Sequence, residues 1–214
     1  MEKYLPVIAD SHLFRGIPKE QLVSLLQELG AAEREYGKNQ YIFHAGEATQ
    51  QMGLILSGGV QIIREDVWGN RDLMAQMGPG ELFAEVYACL PGRKMGVSVI
   101  AAPAAQVLFL TAERILSSGA EPLKRRLTLI LAEKNLRMSE KLTHVTQRSI
   151  RGKLLSYLSV QAQMQGGPDF TIPFDRQQLA DYLAVDRSAL SAVLCKMQDE
   201  GLLEFDRRHF RLKF

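Results

Sequence analysis

The chain has 214 residues, with 26 Lys and Arg against 24 Asp and Glu, a net charge of +2, and 46% hydrophobic residues. This balance is ordinary for a globular protein with room for two cores, and it excludes a disordered chain or binding by bulk charge alone. Residues 1–14 carry Glu2 and Asp10 and have no continuous apolar core, so we expect neither a signal peptide nor a membrane anchor there. No run of about 18 apolar residues occurs in the sequence. We therefore expect a cytoplasmic protein without a membrane partner.

In the first half of the chain, residues 17–29 predict a short amphipathic helix, and beyond Gly37 the apolar pattern changes to short runs broken by glycine. Six strands are predicted, at 41–44, 52–56, 60–63, 73–77, 96–100 and 106–110. The breaks between them are Ala45-Gly46-Glu47, Ser57-Gly58-Gly59, Trp68-Gly69-Asn70 and Gly78-Pro79-Gly80. Short strands separated by such turn sequences are typical of an antiparallel sandwich or barrel.

A long helix is predicted next, because neither glycine nor proline interrupts residues 123–146. An approximate heptad stripe runs along it, formed by Leu127, Ile130, Leu131, Met138, Leu142 and Val145, with Lys134 at an inward position. Two interpretations stay open, a coiled coil with a second copy and burial against the chain's own sheet. In the first, the dimer interface is formed by Leu123, Leu127, Ile130, Met138, Leu142 and Val145.

The last third predicts a helix at 150–163, a loop at 165–169, a strand at 170–174 and then two short helices. Asp175 is placed to cap a helix that begins at Arg176, with Gln178 completing a capping box. Asp186 is placed to cap a second helix. Leu179, Ala180 and Leu183 give the first helix an apolar face, and Leu190, Val193, Leu194 and Met197 give one to the second.

The opposite face of the second helix carries Arg187, Ser188, Ser191, Ala192 and Lys196. Small and basic side chains suit a helix in the major groove of DNA, where arginine pairs with guanine. The segment 206–213 predicts a β-hairpin, in which Arg207 and Arg208 are placed to follow DNA phosphates. The alternatives are a helical hairpin packed in a core and a solvated edge hairpin protected by charge.

Together these motifs resemble the Crp/Fnr family of bacterial transcription regulators over essentially the whole chain. The resemblance rests on the turn glycines at 41–47, 55–60 and 78–85, the long helix, and Asp186-Arg187-Ser188 at the start of the second short helix. It implies an α+β protein with an N-terminal antiparallel β-roll (1–118), a dimerisation helix (119–147) and a C-terminal winged helix-turn-helix (148–214). The expected partners are double-stranded DNA, a second copy and, for an activator, RNA polymerase.

The resemblance also implies roles for individual residues. Arg187 matches the first base-reading arginine of the family, and Arg176 matches its usual phosphate contact. Ser188 stands where a glutamate is common, and Ala192 where many members have a second arginine. We therefore expect Arg187 to read a guanine, Ser188 and Ser191 to make adaptable contacts, and specificity at Ala192 to be relaxed.

The effector domain departs from the cyclic-nucleotide binders of the family. These carry an arginine followed by Ser or Thr about ten residues after the glutamate matched by Glu85, whereas Met95 and Gly96 stand there in this chain. Methionine cannot offset the charge of a cyclic phosphate. A register shift bringing in Arg93 or Lys94 is the alternative. We expect no response to cyclic AMP.

The effector is therefore predicted only as an unidentified small molecule between the sheet and the long helix. The candidate contacts are Phe83, Glu85, Val86, Met95, Gly96, Leu127 and Leu131. No cysteine precedes Cys89, so the cysteine cluster of the iron-sulfur branch of the family is missing. Haem held by His44, Cys89 or a methionine, a redox signal at Cys89, and the absence of any effector stay open.

An enzyme of the jelly-roll type, such as a cupin, is the rival from another class. It needs clustered histidines as metal ligands, whereas His12, His44, His144 and His209 are scattered. The common catalytic motifs with glycine, serine or paired histidines are also missing from the sequence. We therefore expect neither an enzyme nor a metal site.

Overall fold

The computed structural model describes residues 2–65, 68 and 71–213. The chain divides into two compact units, Met1–Ala132 and Glu133–Phe214. The boundary between the units falls inside the long helix, whereas the family resemblance implies a separate dimerisation segment at 119–147. Among the described residues, no helix combines the length and the apolar character that crossing a bilayer requires.

The first unit begins with helices. A 3-10 turn at Glu2–Tyr4 leads into α1 (Leu5–Asp10), and α2 follows at Lys19–Glu28. Helix α2 confirms the prediction at 17–29, whereas α1 and the 3-10 turn were not predicted. Ile8, Leu22 and Leu26 of the two α-helices are fully buried, so this segment belongs to the core of the unit.

A six-stranded sheet follows, formed by β1 (Ala32–Tyr36), β2 (Tyr41–Phe43), β3 (Gln51–Glu65), β4 (Arg71–Met77), β5 (Leu82–Phe83) and β6 (Ser98–Thr111). Its main order is β1-β6-β3-β4, with β2 paired to β6 and β5 to β3, and every pair is antiparallel. The antiparallel architecture is confirmed. Of the predicted turn at 68–70, Gly69 and Asn70 lie outside the described residues.

Two of the predicted strand breaks are wrong. Strand β3 continues through Ser57-Gly58-Gly59, where its pairing with β6 shifts register. Gly58 has a φ of +75°, and a Cβ there would lie 1.8 Å from the Ala104 carbonyl oxygen. Glycine is needed at this position because two backbones approach closely at a bulge, not because the chain turns. Strand β6 likewise crosses the gap predicted between residues 100 and 106.

Helices α3 (Glu85–Ala88), α4 (Ala112–Ser117) and α5 (Glu121–Val145) complete this part of the chain. Leu123, Leu127 and Ile130 of α5 are at most 6% exposed, and they pack with α1, α2, β3 and β6 in one core cluster. For these three residues the assignment to a dimer interface is corrected, because their side chains are covered by their own chain. The alternative of burial against the chain's own sheet holds for this stretch of the helix.

The second unit contains α6 (Ile150–Gln165), β7 (Asp169–Thr171), α7 (Arg176–Leu183), α8 (Arg187–Asp199), β8 (Leu203–Asp206) and β9 (His209–Leu212). Its small antiparallel sheet has the order β7-β9-β8. Strand β7 ends before the predicted 170–174 strand does, since only the Ile172 N–H continues the pairing, to the Arg208 carbonyl at 2.9 Å. This order of elements confirms the winged helix-turn-helix.

Candidate nucleic-acid interface

The start of each of the two short helices is fixed by its own cap. The Asp175 carboxylate accepts from the Gln178 backbone N–H at 2.8 Å, and the Gln178 side-chain oxygen accepts from the Asp175 N–H at 2.9 Å. The Asp186 carboxylate accepts from the Ala189 N–H at 2.8 Å. Ala184 ends α7 in the left-handed conformation with a φ of +52°. These contacts define the tight turn between α7 and α8.

The apolar faces of both helices are buried as predicted. Leu179, Ala180, Leu183, Leu190, Leu194 and Met197 are fully buried, and Val193 packs against them partly buried. The same cluster includes Phe170 and Phe210 from the small sheet. Helix α8 is therefore anchored through one face, and its opposite face is turned toward solvent.

Four of the five predicted groove-facing residues of α8 are exposed, namely Arg187, Ser188, Ala192 and Lys196. Ser191 is half-buried, and its hydroxyl donates to the Arg187 carbonyl at 2.9 Å. That donation leaves the Ser191 oxygen free only to accept a hydrogen bond from an outside group, so the residue is less adaptable than the resemblance implies.

A cavity of about 560 Å³ lies between α7, α8 and the hairpin of β8 and β9, which forms the wing. It is lined by Asp175, Arg176, Gln177, Arg187, Arg207 and Arg208. Four of these six residues are arginines that come from separate parts of the sequence. The fold thus brings the basic residues at the starts of α7 and α8 together with those of the hairpin, although the sequence predicts them as separate contacts.

Arg176 is the most enclosed of these arginines. Its guanidinium carbon lies 4.8 Å from the centre of the Phe205 ring, and its Nη2 donates to the Arg207 carbonyl at 3.5 Å. Burial lowers the pKa of Arg176, and the nearby charge of Arg187 acts in the same direction. Phe205 was not predicted as part of the site, although its alternation with Leu203 along β8 indicates a side chain that faces inward.

The basic residues of the wing divide into two groups. Asp169 lies 2.9 Å from His209 Nε2 and 2.6 Å from Arg211 Nη2, and Glu204 lies 2.6 Å from Lys213 Nζ. Within the described part of the chain, Arg207 and Arg208 make no ion pair. The basic side chains of the second strand and of Lys213 are thus paired with carboxylates of the same unit, whereas the two arginines of the turn are available to an outside anion.

The residues predicted to bind an effector do not all converge. Phe83 and Met95 share the inner cluster of the roll with Tyr36, Phe43 and Phe109, whereas Leu127 and Leu131 lie in the other cluster, between the sheet and the helices. Glu85 is also buried, but Val86 and Gly96 are exposed. No single binding surface therefore contains the whole predicted set.

The inner cluster is filled by the side chains of the roll itself. A Cβ on Gly53 would lie 2.2 Å from the Phe83 ring, so this ring lies directly against strand β3. The Met95 backbone is held on both sides, since its N–H donates to the Glu47 carbonyl and its carbonyl accepts from the Gly46 N–H, each at 2.8 Å. These bonds fix the register of the segment with Met95 inside and with Arg93 and Lys94 exposed.

The candidate haem and redox residues have ordinary surroundings. Burial raises the pKa of the Cys89 thiol, and the carboxylate of Glu85 adds to this effect. A raised pKa disfavours the reactive thiolate. His44 is exposed and stacks on Tyr41 with ring centres 4.3 Å apart. Among the described residues, no group of three or more His, Cys, Asp or Glu is arranged to hold a metal ion.

Comparison with known proteins finds two domain families along the chain. Residues 33–118 match the cyclic nucleotide-binding domain, and residues 152–213 match the Crp-like helix-turn-helix domain. Over 201 residues the chain is 29% identical to the cyclic AMP receptor protein of Thermus thermophilus, covering 90% of this chain and 88% of that one. The CRP-like cAMP-activated global transcriptional regulator of Mycobacterium tuberculosis is 21% identical over 94% of this chain and 91% of its own.

Solved structures share the fold over most of the chain. The catabolite activator protein of Thermus thermophilus matches with a TM-score of 0.52 at 25% identity, covering 95% of this chain and 94% of that chain. The c-di-GMP-responsive global regulator CLP of Xanthomonas campestris shares the fold, with a TM-score of 0.56 at 18% identity over 92% of this chain and all of that one. The chain belongs to the Crp/Fnr family, whose members are transcription regulators and not enzymes.

Proposed function

We propose that this protein binds double-stranded DNA sequence-specifically as a homodimer and regulates transcription from a palindromic operator. The observation that carries the proposal is the continuous basic surface formed by the arginine-lined cavity and the exposed face of α8. Phosphate contacts supply most of the affinity of such a surface for DNA, and contacts to base edges supply the specificity.

Within this surface, α8 enters the major groove and Arg187 reads a guanine. Arg187 stands at the first position of the helix and is exposed, so its side chain reaches past the helix end toward base edges. Ala192 has no hydrogen-bonding side chain, and it leaves the base pair opposite it weakly specified. Arg176, Lys196, Arg207 and Arg208 contact phosphates on either side.

Dimerisation uses the face of α5 that the chain's own core leaves open. Leu129, Ala132, Leu136, Ser139 and Thr143 alternate in steps of three and four residues, and all five are exposed. This seam has the heptad spacing of a coiled coil. The Thr143 hydroxyl donates to the Ser139 carbonyl at 3.0 Å, so its polar group is satisfied within the helix. The seam replaces the stripe through Leu127 and Ile130.

The effector of this regulator is not cyclic AMP. A cyclic phosphate requires a buried cation, and Met95 fills that place with an apolar side chain that is 3% exposed. The alternative register that brings Arg93 inside would break both backbone hydrogen bonds of Met95. An unidentified small molecule then regulates the protein by favouring the dimer state in which both recognition helices fit the operator. Contact with RNA polymerase belongs to this proposal if the protein is an activator.

The test is selection of binding sites from random duplex DNA by the purified full-length protein, repeated with Arg187→Ala. We expect a two-fold-symmetric motif with half-sites about one helical turn apart, changed at one base pair in each half-site by the substitution. The loss of discrimination at that base pair is about 1 to 3 kcal/mol. An Arg187→Ala variant that loses affinity equally on every sequence would contradict base reading by Arg187.

A further inference from the structure

The turn of the wing adopts a backbone conformation that its sequence does not favour. Asp206 pairs with His209, so Arg207 and Arg208 form the two-residue connection between β8 and β9. Arg207 has a φ of +51°. Glycine or asparagine is the usual residue at such a position, because a Cβ crowds the backbone in the left-handed region. A long charged residue in this position is therefore strained.

Two contacts hold the strained turn in place. The Arg207 carbonyl accepts from Arg176 Nη2 at 3.5 Å, and the Arg208 carbonyl accepts from the Ile172 N–H at 2.9 Å. The Arg176 guanidinium is in turn placed over the Phe205 ring, 4.8 Å from its centre. Both peptide carbonyls of the turn are thus bonded to the segment around the start of α7.

The strained turn places its two arginines beside the other arginines of the cavity. Arg207 and Arg208 line the same cavity of about 560 Å³ as Arg176 and Arg187. None of Arg187, Arg207 and Arg208 is ion-paired within the described ranges, although Asp169 and Glu204 neutralise neighbouring basic residues of the same hairpin. Converging positive charges repel one another, and a phosphate oxygen placed between them relieves that repulsion.

We propose that the strained conformation of Arg207 lowers the folding stability of the wing and raises its affinity for DNA. Arg176 and Phe205 act as positioning residues that hold the turn, and Arg207 neutralises a backbone phosphate beside the base that Arg187 reads. This inference rests on the proposed function and deepens it, because it assigns part of the sequence-independent affinity to one strained residue.

The experiment replaces Arg207 by glycine in the full-length protein and measures the melting temperature and the DNA affinity together. Glycine relieves the strain, so we expect Tm to rise by about 2 to 4 °C. We expect the affinity for the selected operator and for a scrambled duplex to fall by the same factor, about tenfold, because a phosphate contact is lost. The slope of log affinity against log salt should fall by about 1.

Three control variants separate this account from a general loss of charge. Arg207→Lys keeps both the charge and the Cβ, and it should retain the wild-type Tm and salt slope. Arg211→Gln removes an arginine that Asp169 already neutralises, so its slope should change much less than that of Arg207→Gly. Phe205→Leu should lower the slope although Arg207 is intact, and Phe205→Tyr should restore it.

An Arg207→Gly variant with a lower Tm, or with unchanged affinity and salt slope, would overturn the inference. Failure of the proposed function looks different, because the wild-type protein itself would then show no preference for any DNA sequence. A wild-type protein that selects an operator beside a glycine variant that binds it equally well rejects only the role of the wing turn.

Discussion

The two units of this protein differ in what their candidate binding regions leave open: the winged unit exposes charge, and the interior of the roll is covered by side chains. The winged unit leaves Arg187, Arg207 and Arg208 on an open surface without an ion pair among the described residues, whereas the roll covers its interior with Phe83 and Met95. A surface for a charged polymer can be recognised from unneutralised charge in the protein alone. A pocket for a small molecule is recognised by space and by polar groups that line it. The space around Phe83 and Met95 is packed with side chains, and the cavity of about 960 Å³ in the roll lies instead against exposed residues that include Val86, Arg93 and Lys94.

The largest expected effect comes from placing charge in the filled interior of the roll. Met95→Arg buries an uncompensated guanidinium among aromatic side chains, which should cost about 3 kcal/mol or more and lower the Tm of the first unit. Val86→Arg adds the same charge at an exposed position of the same region and should leave Tm nearly unchanged. Differential scanning calorimetry measures both.

Measuring the Tm of the wild-type protein and of Met95→Arg with cyclic AMP added provides a second test. We expect cyclic AMP to shift the Tm of neither the wild-type protein nor the Met95→Arg variant. A cyclic AMP concentration series that raises the Tm of the wild-type protein would contradict the filled interior.

The next largest effect concerns the two faces of α5. Leu136 and Met138 are similarly exposed, at 59% and 69%, but they lie on different sides of the helix. Leu136→Glu places a charge in the proposed seam and should weaken the dimer by about 2 kcal/mol or more, whereas Met138→Glu should not. Light scattering during size-exclusion chromatography, run over a range of concentrations, measures both. The reverse ranking would restore the stripe through Met138 and Leu142.

A smaller effect is expected at the cap of the recognition helix. Asp186→Ala removes the acceptor for the Ala189 N–H and should destabilise the winged unit by about 1 kcal/mol. Asp186→Ser keeps a capping oxygen and should recover most of the loss. Thermal unfolding followed by circular dichroism provides the comparison. Equal destabilisation by both substitutions would show that the cap itself contributes little.

The smallest effect is a pH dependence of the second unit. His144 is 2% exposed, with its Nδ1 2.8 Å from the Ser156 hydroxyl, and burial lowers its pKa, with Glu140 acting in the opposite direction. The unfolded chain therefore binds a proton more readily than the folded one as the pH falls through the ordinary histidine value of about 6.5. Stability should be retained above this pH and decline below it.

The matched variant for this prediction is His144→Gln, which keeps a polar side chain next to Ser156 without the titration. Its Tm should fall less than that of the wild-type protein between pH 7.5 and pH 5.5, as measured in parallel thermal scans. Identical pH dependence in the two proteins would show that His144 does not titrate differently on folding.

How much the sequence could predict depends on the range of the interactions involved. The caps at Asp175 and Asp186 were predicted to the residue, because a cap is a hydrogen bond between near neighbours in sequence. Gly58 was assigned to a turn, since a bulge and a turn use glycine alike and only the approach of Ala104 distinguishes them. The side of α5 that faces the core could not be predicted either, because both faces carry apolar residues.

The same reasoning applies to the functional residues. Arg187, Arg207 and Arg208 were predicted from local pattern and resemblance, but their meeting at one cavity depends on the packing of the winged unit. Phe205 was missed because its contribution is to lie under Arg176, a contact across 29 residues of sequence. Leu127 and Phe83 were assigned to one pocket, although the sheet places them in different clusters.

Affinity for two forms of the selected operator tests the central claim most directly. The first form carries the half-sites about one helical turn apart, and the second has about five extra base pairs between them, which turns one half-site to the opposite side of the duplex. A symmetric dimer with two recognition helices should bind the second form at least about tenfold more weakly, because both grooves are no longer reached together. Equal affinity for the two forms would contradict the dimeric DNA-binding regulator.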